Sequence, residues 1–270
     1  MLGGIVVWLF LAAAFPCLSE TSFARLPADA TIRDVLVDPQ GGRVYLAVYD
    51  RNEVWSVDLA APNAHAALGV GKGPSSLALS SDARWLACVN RLAGALTIIR
   101  LPSFEAAATV PCGAGAHEVA AMPDGRFAVS NSFADSLTLV DPRAPDRADT
   151  LRGFSGVPGA LAASSSYLAV AVRVPPALML LRLGGDGPDD RLDMPGTPVD
   201  VVALSEDRFV VATQTGLVLA DARTRRILTS LDLAASAIAV SGDRIYASCP
   251  LGLVVLDDKL SEVDRLSLTA

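Results

Sequence analysis

Short apolar runs recur along the chain, each closed by a cluster of Asp, Gly, Ser or Pro, and they are of two kinds. Val44 to Val48, Tyr167 to Val172 and Phe209 to Ala212 are apolar at nearly every position, as a strand is when both faces of its sheet are covered. Arg191-Leu192-Asp193-Met194 and Arg265-Leu266-Ser267-Leu268 alternate instead, which implies one face in water. The pattern predicts many short strands graded from fully covered to half wet.

The runs are also periodic. Sliding the chain against itself by roughly forty residues brings one module into register six times, with a turn-closing residue at Arg43, Arg84, Arg126, Ser166, Arg208 and Arg244. Each module holds a short apolar strand, a tight polar turn, a second apolar strand, a polar loop, a third strand often ending at Asp, and a weaker fourth strand. In the first module these are Asp34 to Val37, Arg43 to Val48 and Val54 to Asp58; in the third, Val119 to Ala121, Arg126 to Ser130 and Leu137 to Asp141. A strand hydrophobic on both sides must be flanked by neighbours, and an outermost alternating strand must lie at a rim. The expected fold is therefore all-β, a β-propeller of about six four-stranded blades, with seven blades or an incompletely closed ring as the alternative. Both ends of the chain after residue 24 offer an outermost strand, Phe23 to Leu26 and Val263 to Leu268, and the C-terminal one is expected to complete the last blade.

The module resembles the YVTN-type propeller repeat. The matching stretches are Arg43-Val44-Tyr45-Leu46-Ala47, Cys88-Val89-Asn90, Pro123-Asp124-Gly125-Arg126, Ser130-Asn131-Ser132 and Leu139-Val140-Asp141. The resemblance runs from Thr31 to the C-terminus, and is clearest in the first three modules. It implies a rival to simple binding, since lactonases and quinoprotein-associated propellers share this repeat and keep their active site at the central channel.

The first residues form a separate unit. A continuous apolar run from Ile5 to Ala14, then Pro16 and small residues at Ser22 and Ala24, reads as a signal peptide over residues 1–24, with a single propeller domain over 25–270. A lipoprotein reading would acylate Cys17, but Phe15 and Pro16 suit that cleavage badly, so soluble export to the periplasm or medium is preferred, with no membrane insertion after cleavage. Three cysteines remain, Cys88, Cys112 and Cys249, as buried filler or as at most one bridge. A net charge of −7 with lysine only at Lys72 and Lys259 leaves no footprint for nucleic acid.

Chemistry is sparse. There is no haem-attachment, zinc-protease, phosphate-loop or nucleophile-elbow motif, and the histidines are His65 and His117. Counting eight residues back from each turn-closing residue reaches Ser76, Glu118, Pro158, Asp200 and Ser236, and in the first module, whose turn is one residue longer, the equivalent is Asp34; these positions begin the innermost strands. With His117 beside Glu118, these residues are expected at the channel mouth as a ligand-binding rim. Asp34, Glu118 and Asp200 would suit a divalent cation there, although no cofactor is required; their plainer reading is that they satisfy backbone groups. The recurrent arginines read as turn residues paired with Asp82, Asp124, Asp207 and Asp243, and Asn90 and Asn131 as left-handed turn residues. The expected function is an exported binding or scaffold propeller that engages an envelope protein or a small ligand. The alternative is a lactonase-like or quinoprotein-associated enzyme or subunit with a cation at the mouth.

Overall fold

A computed structural model describes residues 29–267 except 39, 63, 155, 186–189 and 251. The expected signal peptide over 1–24, Cys17 within it, and the candidate strand Phe23 to Leu26 lie outside the described residues.

Six four-stranded antiparallel sheets follow one another along the chain as the blades of a β-propeller, each made of four consecutive strands, and no helix occurs among the described residues. Blade one is β1 (Ile32–Asp38), β2 (Arg43–Val48), β3 (Glu53–Asp58) and β4 (His65–Gly69). Blade two is β5 (Pro74–Leu79), β6 (Trp85–Asn90), β7 (Ala95–Arg100) and β8 (Glu105–Pro111). Blade three is β9 (Ala116–Ala121), β10 (Phe127–Asn131), β11 (Ser136–Val140) and β12 (Asp149–Arg152). Blade four is β13 (Pro158–Ala163), β14 (Tyr167–Arg173), β15 (Pro176–Arg182) and β16 (Asp190–Asp193). Blade five is β17 (Pro198–Ala203), β18 (Arg208–Thr213), β19 (Leu217–Asp221) and β20 (Arg226–Leu231). Blade six is β21 (Ala237–Ser241), β22 (Arg244–Cys249), β23 (Gly252–Leu256) and β24 (Glu262–Ser267), so the C-terminal segment completes its own blade. Two compact units divide the chain: blades one and two, ending at Pro111, and blades three to six, beginning at Cys112.

The continuous apolar runs are explained by where alternate side chains point. In β14, Leu168, Val170 and Val172 face blade three and pack with Ala128, Leu137 and Phe154, while Ala169 and Ala171 face blade five and receive Phe209 and Val211 of β18. The other side of β18, Val210 and Ala212, packs against Ile245 and Ala247 of blade six. In the first unit Tyr45 and Ala47 of β2 meet Leu77, Leu86 and Cys88 of blade two. The core is thus a series of seams between blades, and strands apolar on both sides are what such seams require. The outer strands have no second neighbour: β4, β20 and β24 are mostly exposed.

Candidate functional site

Antiparallel order puts the start of each first strand, the end of each second and the start of each third on one face of its blade. The loops on that face include 49–52, 91–94, 132–135, 174–175 and 214–216. At its inner edge lie the acids picked out by the repeat. Asp34 sits opposite Ala47, Ser76 opposite Val89 and Asp200 opposite Ala212, each just after a break in strand register that re-aims the side chain.

Each of these carboxylates reaches the neighbouring blade. Asp34 accepts the Val35 N–H through Oδ1 at 2.8 Å and, through Oδ2, the Leu77 N–H of blade two at 2.7 Å. Asp200 repeats this with Val201 of its own strand and Ile238 of blade six, both at 2.8 Å. Glu118, one methylene longer, accepts the Leu161 N–H of blade four at 3.5 Å. Leu77, Leu161 and Ile238 occupy one repeat position, so blades one, three and five each clasp the next through an acid.

The same register corrects two of the positions counted from sequence. The residues equivalent to Asp34 are Ala160 in blade four and Ala237 in blade six, not Pro158 and Ser236, because the hairpins between first and second strands are shorter there. Ser236 lies just before β21, where its backbone N–H and hydroxyl donate to the Ser248 carbonyl at 2.8 and 3.3 Å. Ser76 is buried in β5 at the clasp position itself. Burial raises the Asp34 pKa above the ordinary carboxylate range, with the Leu77 and Val35 N–H groups opposing the shift. The Cys88 thiol is pushed up by its burial and by the nearby Asp34 charge. Cys88, Cys112 and Cys249 are free thiols.

A cation would need several of these donors on one point. Among the described residues no three His, Cys, Asp or Glu side chains gather as a metal-binding set, and Asp34, Glu118 and Asp200 each spend oxygens on backbone N–H groups.

No family model matches the chain, and neither does any curated protein. Solved structures do resemble it. Hydrazine synthase of Kuenenia stuttgartiensis superposes with a TM-score of 0.74 at 12% identity, over 83% of this chain and 75% of that one. A structure described as dihydro-heme d1 dehydrogenase NirN in complex with DHE superposes with a TM-score of 0.72 at 17% identity, over 90% of this chain and 58% of that one. The shared feature is the propeller fold.

Two further features went unread in the sequence. Asn90 and Asn131 are not left-handed turn residues; they end β6 and β10, are fully buried, and donate to Thr97 and Thr138 of the third strands at 2.8 and 2.9 Å. Their signal was a paired glycine motif ahead of each first strand: a Cβ at Gly71 or Gly113 would come within 2.8 Å of the asparagine Cγ. The recurrent arginines, on the opposite face, pair partly as expected. Arg126 bonds Asp124 at 2.7 Å and Arg244 lies 3.6 Å from Asp243, whereas Asp207 pairs with Arg223 and Asp82 with the Ser80 hydroxyl.

The second missed feature is a group of loop tips. In the second unit Phe133 is 79% exposed and Val174 64% exposed, at matching positions of the loops of blades three and four, and Leu92 holds that position in the first unit at 66%. The two loops of the second unit are tied together. The Ser132 hydroxyl donates to the Pro158 carbonyl at 2.7 Å, Asp135 accepts the Gly156 N–H at 3.3 Å, and the Arg173 N–H donates to the Val157 carbonyl at 3.3 Å. At the inner edge Arg173 Nη2 lies 3.3 Å from His117 Nε2. A guanidinium only donates, so the imidazole nitrogen accepts.

Proposed function

We propose that the chain is an exported, non-catalytic propeller of YVTN-type repeats, acting in the periplasm or medium, whose strand-two to strand-three loops dock a protein partner. The observation that carries this is Phe133 with Val174: large apolar side chains held in water on loops fixed by interblade hydrogen bonds. Such residues contribute nothing to the blade seams, and large apolar side chains presented in water on tethered neighbouring loops suit an interaction site. The absence of any catalytic motif in the sequence agrees with a binding role. An enzyme or enzyme subunit remains the rival because both fold neighbours are named for enzymes, but fold alone does not transfer activity, and the acids here are engaged as clasps.

Photo-crosslinking tests the reading. A photoreactive residue replacing Phe133 is expected to give a discrete protein adduct in cells of the native host, while the same residue replacing Arg126 on the opposite face gives none. No adduct from position 133, or the same adduct from both, would refute the docking face.

A further inference from the structure

Arg173 stands out among the arginines of the described residues. It is half-buried at the end of β14, its guanidinium lies against Gly159, where a Cβ would meet Nε at 3.4 Å, and its partner there is the neutral acceptor nitrogen of His117. No carboxylate lies within ion-pair distance of it among the described residues, although the chain as a whole carries an excess of seven negative charges. Nine other arginines, Arg43 and Arg126 among them, have an acid within reach, and every remaining described arginine is exposed, so Arg173 is set apart by its half-burial beside a neutral acceptor. A guanidinium carries five N–H donors in a fork that matches a carboxylate, and a neutral acceptor contributes no opposite charge, so Arg173 is suited to receive a carboxylate from outside.

That cation is continuous with the apolar tips. Val174 follows it directly, and Ser132, Asp135 and the 156–158 segment tie the Phe133 loop beside it. Partial burial strengthens the charge by limiting its hydration. We infer that the loops of blades three and four recognise a protein segment carrying a carboxylate next to a large apolar side chain, with Arg173 receiving the carboxylate and Phe133 and Val174 the apolar group. His117 is a positioning residue, fixing the guanidinium through Nε2. The inference rests on the proposed docking reading and names the chemistry of its partner.

The test is selection of a displayed random dodecapeptide library on the full purified chain, followed by affinity measurement on the peptides recovered. Recovered peptides are expected to carry Asp or Glu adjacent to Leu, Ile, Phe or Trp. Changing that acid to its amide should weaken binding about tenfold or more, as loss of a charge-assisted bond does. Arg173→Gln, checked by an unchanged melting temperature, should cause the same loss and make the amide change silent. The peptide-side change needs no protein variant, so misfolding cannot mask the outcome. Peptides that lose binding with Phe133→Asp but are indifferent to Arg173→Gln would overturn the carboxylate inference and leave the docking face standing. Peptides indifferent to both, or no peptide recovered at all, would overturn both.

Discussion

A single carboxylate at the head of an inner strand does two jobs that pull its proton affinity in opposite directions. Asp34 accepts N–H groups from Val35 and from Leu77 of the next blade, which favours the charged form; its enclosure by protein disfavours that form and wins, so its pKa is raised. The folded chain therefore holds this proton more tightly than the unfolded chain, unfolding releases it, and rising pH favours unfolding through this group. Asp34→Ala should destabilise the protein by about 1–3 kcal/mol, the usual cost of stranding buried donors. The advantage of the parent over the variant should be greatest below the ordinary carboxylate value of about 4 and shrink as pH rises through the raised folded value. Urea unfolding of both proteins at acid and neutral pH measures this difference, and an advantage that grew with pH would mean that the hydrogen bonds outweigh burial.

Between elements, the connection into each blade is shaped by what lies beneath it. Gly113 passes so close to Asn131 that a methyl group would meet its Cγ at 2.8 Å, and Asn131 in turn donates to Thr138 at 2.9 Å and Ser136 at 3.2 Å. Gly113→Ala should displace the asparagine and cost about 1–3 kcal/mol in urea unfolding, because a buried amide would lose its partners. Gly69→Ala is the control: it has open space around it and should change stability by less than about 0.5 kcal/mol. This linkage shows why parts of the site were not legible in the chain. An Asn after an apolar run reads the same whether it opens a turn or ends a buried strand, and only the glycine packed on it distinguishes the two. The acids were legible as a repeat because every clasp needs the same residue type at the same position. Pro158 and Ser236 were put where Ala160 and Ala237 stand because the register, not the turn, sets that position, and the hairpins of blades four and six are shorter. Arg173 carried no signal, since its distinction is having His117 for a partner, and His117 lies fifty-six residues away.

At the scale of the whole molecule, the seams divide unevenly between the two units. Among the described residues, those up to Pro111 contain one interblade core, built on Tyr45, Leu77, Leu86 and Ile99, whereas the unit from Cys112 contains three, centred on Phe154, Phe209 and Ile245. The repeat was legible because every seam demands apolar residues on both sides of its strands; this unequal division was not, because each module reads alike whichever neighbour it meets. A repeat stack gains stability from each interface and usually needs three or more units to outweigh chain entropy. A fragment beginning at Cys112 should accordingly melt cooperatively with β-sheet circular dichroism, since three shared interfaces stabilise four blades. A fragment ending at Pro111 should show no cooperative transition, because one interface must offset the ordering of two blades, and the far side of blade one, with Val44, Leu46 and Trp55, has only its own blade to pack on within that unit. Cooperative melting of the shorter fragment would mean that a two-blade seam suffices, and would contradict stability shared along the stack.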